Sequence, residues 1–224
     1  MASRQVRNNA SSEDASPGAS PTGASLWAPV NTRVRDRERK RDAVILVAAR
    51  AFKARGYHNT SLDDIAGELN VTKPTVYHYV ANKEQLLFEC FRAGLRQIIE
   101  ALDEIQDTAV DARTRLASVV RRYAQAITSD FGWCMVQAEN QDLSPAMSRK
   151  VKTLKSEIDQ GIRSLIKAGI ADGSIRDCDA KIAAFAIAGA LNWIAHWYRT
   201  DASLSAEQIA ERVLQLFELG LQPR

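Results

Sequence analysis

The seven residues from Lys73 to Tyr79 (KPTVYHY) gather an ammonium, a threonine hydroxyl, two phenols and an imidazole with no carboxylate among them. Donors outnumber acceptors in such a set. It suits phosphate oxygens and the acceptor-bearing base edges of a duplex rather than proton transfer or nucleophilic attack. Hydrolytic or metal chemistry would need other groups. The chain has no HExxH, no GxSxG, no Gly-rich phosphate loop with its lysine, and no paired-carboxylate constellation. Cys90, Cys134 and Cys178 are widely separated and form no CxxC pair, so neither a disulfide nor a metal site is expected. No catalytic residue and no cofactor is expected either.

A helix this short is not stable alone, so neighbouring elements must hold it. Upstream, Ser61 can cap a helix whose third position is Asp64, the reciprocal pairing of a capping box. Leu62, Ile65, Ala66 and Leu69 recur at helical spacing and give that helix one apolar stripe. Asn70 stands where a left-handed turn residue is wanted, with Val71 as the apolar plug of the turn. Thr72 can then cap the second helix, and Pro74 is acceptable in its first turn, where no backbone donor is lost. The pattern predicts a helix-turn-helix whose first helix packs and whose second lies in a DNA major groove.

The flanking elements follow from the same signals. Asn82 and Gln85 make a second capping box, opening a helix through Leu86, Leu87, Phe88, Phe91 and Leu95 to about Gln106. Lys83 falls in its first turn, where a helix N-terminus favours phosphate. Before the motif, a helix from about Arg37 to Arg55 puts Ile45, Ala48, Ala49 and Phe52 on one face and stops at Gly56. Phe52 is expected to anchor the small core against Ile65 and Val76.

Residues 48–87, AARAFKARGYHNTSLDDIAGELNVTKPTVYHYVANKEQLL, resemble the DNA-binding domain of the TetR family of bacterial transcriptional regulators. The likeness includes the Phe52–Gly56–Thr60 spacing, Ile65-Ala66, Tyr77 and Lys83. It departs at Asn70, where the family usually has Gly, and at Val80, where it usually has Phe. Asn can adopt the same turn, and Val keeps its site apolar. The resemblance implies an all-α regulator: a three-helix DNA-binding domain followed by a helical ligand-binding and dimerisation domain. Its implied partners are a double-stranded DNA operator and a small-molecule effector, and enzymatic activity is not implied. Phosphate contacts are implied at Tyr77, at Lys83 and at Thr60 or Ser61. Lys73, Pro74 and Thr75 sit within reach of base edges, His78 within reach of a phosphate, and Thr72 at the helix start. Tyr79 is either a DNA contact or the aromatic that packs on Phe52.

Composition agrees with a globular protein: 46% hydrophobic and 25% charged over 224 residues. The net charge of +3 is unevenly spread, with nine basic side chains between Arg33 and Arg55 against Asp36, Glu38 and Asp42. A basic cluster beside a reading helix is an electrostatic footprint for phosphate. Residues 1–32, rich in Ser, Ala, Asn, Pro and Gly, are expected to be a disordered tail. The DNA-binding domain is expected over 33–82 and the ligand-binding and dimerisation domain over 83–224. No apolar run reaches bilayer length and no secretory signal is present, so a cytoplasmic protein without membrane contact is expected.

About nine helices are expected in all. The later ones run over Asp111–Thr128, a less regular stretch Phe131–Asp142, and from Ser144-Pro145 to about Ala168. Two more follow, Ala180–Tyr198 capped by Asp179 and Ala206–Leu219 capped by Ser205 with Gln208. The helix from Ala180 is apolar on both sides. Ile182, Ala186, Gly189, Trp193 and Trp197 make one stripe; Ala184, Ile187, Leu191, Ile194 and Tyr198 make the other. Such a helix must be covered twice, once by its own domain and once by a second subunit. A homodimer is therefore expected, a four-helix bundle built on Ile182, Ala186, Gly189 and Trp197 with Ile209, Val213, Leu216 and Phe217 from the last helix. Two reading helices roughly 34 Å apart would match a palindromic operator.

Tyr123, Trp133, Met135, Asn140, Asn192, Trp193 and His196 mix aromatic and polar groups in the way ligand sites do. The alternative is that Asn192 and His196 satisfy each other at the dimer seam. The LNWIAHWY ending resembles acyl-CoA-responsive members of the family, for which Arg121, Arg122, Arg149 and Lys152 would supply a basic rim. The competing reading is a helical protein-interaction module that does not bind operator DNA, which the acid-poor reading helix argues against.

Overall fold

Nine helices and no strand occur among the residues described by the computed structural model, namely 30–104, 109–138, 142–199 and 204–219. The described residues divide into two units, with the boundary between Arg37 and Glu38. Helix α1 spans Val30–Arg55, beginning earlier than the expected Arg37. Neither Gly nor Pro occurs between those ends to interrupt it. Residues 1–29 of the expected tail lie outside the described residues, while 30–32 are helical. Ala48, Ala49 and Phe52 are fully buried on the face the periodicity predicts, and Gly56, at φ +81°, turns the chain out of the helix.

Helices α2 (Leu62–Glu68) and α3 (Lys73–Tyr77) pack on one another, and Leu62, Ile65, Ala66, Val76 and Val80 join Ala48 and Phe52 of α1 in the buried core. Burying Ile65 and Val76 completely stabilises the pair by about 2 kcal/mol each. Val71 is not the plug of the turn, since it is 39% exposed. The turn is closed by Leu69, packed against the core, and by the Val71 N–H donating to Ala66 O at 3.0 Å.

The long α4 (Lys83–Glu104) is the strut on which the rest is assembled. It packs against α5 (Ala112–Thr128), α6 (Gly132–Val136) and α7 (Pro145–Asp172). Gly94 allows the close approach of α6, because a Cβ there would collide with Met135 Sδ. Helix α7 is capped by Ser144, opens on Pro145, and continues to Asp172, where Gly173 at φ +78° ends it. Helix α8 (Ala180–Trp197) lies on α5, α6 and α7, and α9 (Ala206–Leu219) on α5. No described helix is long and apolar enough to cross a membrane.

Polar ties join α1–α3 to this frame. Glu89, only 5% exposed, receives Arg41 at 2.8 Å from α1 and Arg92 at 2.6 Å from its own helix. Arg50 meets Asp130 at 2.8 Å, and His58 Nε2 meets Asp142 at 2.8 Å.

Candidate nucleic-acid interface

The reading helix is held by the turn the sequence specifies. Ser61 N–H donates to Asp64 Oδ2 at 2.7 Å, and Asp64 N–H returns a bond to Ser61 Oγ at 3.1 Å. The Ser61 N–H and the Ser61 hydroxyl, which also donates to Asp64 Oδ2 at 2.7 Å, hold the Asp64 carboxyl below its usual value. Asn70 adopts φ +53°, the one positive φ outside glycine among the described residues. Thr72 occupies the N-cap position but does not cap with its side chain. Its hydroxyl pairs with that of Thr75 at 2.9 Å. That leaves the first N–H groups of α3 without a side-chain cap at the end facing solvent.

Seven of the expected contact residues, Ser61, Thr72, Lys73, Pro74, Thr75, Tyr77 and His78, are exposed, with Val76 and Val80 buried among them. Lys73 is engaged with Asp63 at 2.7 Å, and that hydrogen bond holds its ammonium above the usual value. Both groups are largely exposed, so the pair can open when a stronger anion arrives. Tyr77 is 47% exposed and its phenol points clear of the core. A recess of about 500 Å³ lies between the start of α2, the side of α3 and the start of α4. His58, Ser61, Lys73, Tyr77, Asn82 and Lys83 all line it.

The structure corrects the role expected of Thr60 and finds another aromatic where Tyr79 was the alternative. Thr60 is 1% exposed, and its hydroxyl is directed at Gly56 O (2.9 Å) and Ala51 O (3.3 Å). It fastens the end of α1 to the loop and does not reach a phosphate. Tyr79 is half-buried, with its ring edge-on to His78 at 5.2 Å. The aromatic stacked against Phe52 is Tyr57, at 5.4 Å between ring centroids.

Tyr57 is the residue the sequence reading missed. The Lys83 ammonium sits 4.2 Å from its ring centroid and donates to His58 O at 3.4 Å. Partial burial holds that ammonium below its usual value. Asn82 Oδ1 accepts from Gln85 N–H at 2.7 Å, while Gln85 Oε1 takes the Ala81 N–H at 2.6 Å, so the box closes one residue early. Lys83 is therefore placed by a capped helix start, a ring and a carbonyl. The signal available in the sequence was the Tyr57-His58 pair just after Gly56, where an exposed loop would not otherwise need an aromatic. The basic footprint is also smaller than counted, since Arg41, Arg50 and Arg55 are paired with Glu89, Asp130 and Glu68.

The expected effector residues are divided by the structure. Tyr123, 6% exposed, donates from its hydroxyl to Asn192 Oδ1 at 3.2 Å. Burial pushes that phenol up to about 12, so it stays a donor. Met135 is buried against Gly94, and Trp133 is half-buried beside it. Trp193 and His196 turn the other way. They stack on each other at 4.7 Å on the exposed side of α8, and Asn192 pairs with Tyr123 rather than with His196. Asn140 lies outside the described residues. A cavity of about 360 Å³ lies elsewhere, between α4, α5 and α7, lined by Leu102, Arg115, Glu157 and Leu165 among others. Of the expected basic rim, Arg121 is tied to Glu211 and Arg122 faces Glu104 at 3.6 Å.

The two stripes of α8 separate as the pattern requires. Ala184, Ile187, Leu191 and Ile194 are buried, whereas Ile182 (62% exposed), Trp193 (64%) and Trp197 (48%) face outward with Ala186 and Gly189. On α9 the expected stripe splits. Ile209 is 4% exposed and belongs to the protomer's own core, Val213 is half-buried, and Leu216 and Phe217 are exposed. The burial of Ile209, Ala210 and Leu214 sets that rotation of α9 against α5, and the Arg121–Glu211 pair lies at its edge.

Comparison with known proteins agrees with this geometry. Residues 44–90 match the family model described as bacterial regulatory proteins, tetR family, and residues 109–221 match the tetracyclin repressor-like C-terminal domain. The HTH-type transcriptional repressor KstR2 of Rhodococcus jostii (strain RHA1) is 28% identical, over 81% of this chain and 91% of its own length. The crystal structure of the regulator PfmR from Thermus thermophilus superposes with a TM-score of 0.74 at 26% identity, covering 80% of this chain and 99% of that one. AibR, solved with isovaleryl coenzyme A and operator DNA, gives 0.69 at 28% identity, covering 79% and 97%.

Proposed function

The chain belongs to the tetR family of bacterial regulatory proteins, and on that premise we propose a repressor that leaves a palindromic operator when a small molecule binds. The observation that carries the reading is the exposed, carboxylate-free α3 beside a recess lined by Ser61, Lys73, Tyr77 and Lys83. Residues 33–82 read DNA and 83–224 bind the effector and form the homodimer. Tyr77, Lys83 and Ser61 grip backbone phosphate; Lys73, Pro74 and Thr75 face base edges. The outward stripe of α8, with Leu216 and Phe217, is the dimer seam. Trp193 and Trp197 exposed to this degree on one helix need a partner surface.

The proposed effector is a coenzyme A thioester. Support comes from the likeness to AibR, whose structure holds one, and from the LNWIAHWY segment that ends α8. Tyr123, Asn192, Trp133 and Met135 are the proposed lining, at the junction of α5, α6 and α8. Ligand entry there would part α6 from α4 at the Gly94–Met135 contact, and α4 carries the reading head.

Duplexes selected from a random pool should be retained by the protein. Tyr77→Ala and Lys83→Ala should each weaken binding on every retained sequence alike and shallow the salt dependence by about 0.9 per lost phosphate contact. A panel of acyl-CoA thioesters should raise the melting temperature and release the duplex. No retained duplex would remove the regulator reading; no stabilisation by any thioester would remove the effector class alone.

A further inference from the structure

Helix α7 carries its charge in an unusual order. Its first turn has no carboxylate, and between Ser144 and Ser156 come Arg149, Lys150, Lys152 and Lys155 with no acidic residue. Glu157, Asp159 and Asp172 follow only later. This opposes the helix macrodipole, which favours carboxylates near the N-terminus and cations near the C-terminus. Among the described residues none of the four cations has an ion-pair partner, whereas Arg121, Arg122 and Arg163 all do. Arg149, Lys150 and Lys152 are exposed, whereas partial burial over Phe91 holds the Lys155 ammonium below its usual value. Lys150 and Lys155 lie over the Phe88 and Phe91 rings of α4 at 5.7 and 5.6 Å, contacts that position the ammonium groups without cancelling their charge.

The start of α7 is fastened to the reading head. The Ser144 N–H donates to Glu84 Oε1 at 2.7 Å, one residue after Lys83. Asp142 meets His58 at 2.8 Å, and His58 lines the same recess as Tyr77 and Lys83. The unpaired cations thus begin within two turns of the edge that faces phosphate. They also lie outside both cavities described above, on an open helix face. A small anion would need convergent groups in a concave site. A polyanion needs only a row of exposed cations.

We propose that Arg149, Lys150 and Lys152 form a second backbone contact, gripping duplex phosphates that flank the operator core read by α3. This rests on the DNA-binding reading, and the test separates the two. Two duplexes carry the same selected core, one trimmed to it and one extended by about one helical turn on each side. The wild-type protein should bind the extended duplex more tightly. The variant R149A/K150A/K152A should bind it roughly tenfold more weakly than wild type, with a salt dependence shallower by about 0.9 per lost contact, and bind the trimmed duplex as wild type does. R149E/K152E, which leaves Lys150 on Phe88, should show the same selective loss, and circular dichroism should show both variants folded.

A wild-type protein that gains nothing from the flanks overturns this proposal while leaving the reading helix in place. So does a variant that weakens both duplexes equally. Unchanged binding to DNA with weakened binding of coenzyme A would assign the patch to the effector and overturn it as well. A wild-type protein that binds neither duplex removes both readings together.

Discussion

The solvent side of α2–α3 and the outer side of α8 are both left uncovered by the protomer, and their chemistry is opposite. The first presents an ammonium, hydroxyls and an imidazole over a thin apolar floor of Ile65, Val76 and Val80. The second presents Ile182, Phe185, Trp193 and Trp197 over the buried stripe of the same helix. A polar surface costs little to leave in water, so α3 can wait exposed for its partner. An apolar surface of several large side chains cannot, and is covered as soon as a second copy is available. With the proposed dimer seam and DNA interface, the difference predicts an order of assembly: the α8 face joined in the resting protein, and the α3 face only on DNA.

The largest test of that order is to make the α8 face polar. Trp193→Glu with Trp197→Glu should give a monomer by light scattering. Operator affinity should fall by at least about a hundredfold, because each head would then bind without the effective concentration its twin provides. The α2–α3 surface is untouched, so helical content should be unchanged. A monomer that still binds the full operator as tightly would break the link between the two faces.

A smaller test sharpens the boundary of the polar face. Thr60→Val should cost about 2 kcal/mol of stability in denaturant unfolding, since Val keeps the shape but leaves Gly56 O and Ala51 O without the hydroxyl donor. Its DNA affinity, measured on folded protein, should match wild type. A Thr60→Val protein of normal stability but weakened operator binding would return Thr60 to the contact surface.

These cases show which features the sequence carries openly. Capping boxes, the left-handed Asn70 and the two stripes of α8 were legible because each is set by residues within a turn or two of one another. Thr60 was misassigned because its partners are the carbonyls of Gly56 and Ala51, which only the fold brings beneath it. Ile209 was placed on the dimer face because helical periodicity gives a stripe but not the rotation of the helix, and that is set by which residues, Ile209, Ala210 and Leu214, α9 buries against α5. Val71 looked like a plug because it is apolar, yet Leu69 reaches the core first. The Tyr57–Lys83 contact joins residues from different elements and left no spacing to read.

The smallest expected effect separates the two faces by acid. On the polar side, Asp64 is held below the usual 3.8 by its bonds to Ser61, and Glu84 below the usual 4.5 by its bond to Ser144. A depressed carboxyl binds its proton less readily folded than unfolded. The stability it contributes is therefore fully present above the ordinary value and lost as pH falls through the lower, folded one. The outward stripe of α8 has no carboxylate to titrate in this range: Ile182, Phe185, Trp193 and Trp197 are neutral throughout. Hydrogen-exchange protection should decline at the Ser144 amide below about pH 4.5 and at the start of α2 only below about pH 3.8, while the protein is still dimeric. Asp64→Asn keeps an acceptor for the cap but removes the proton linkage, so it should lower the melting temperature at neutral pH by about 2 °C and flatten its fall with acid. Dissociation of the dimer at the same pH as the loss of the α2 cap would mean that the two faces are not held by different forces.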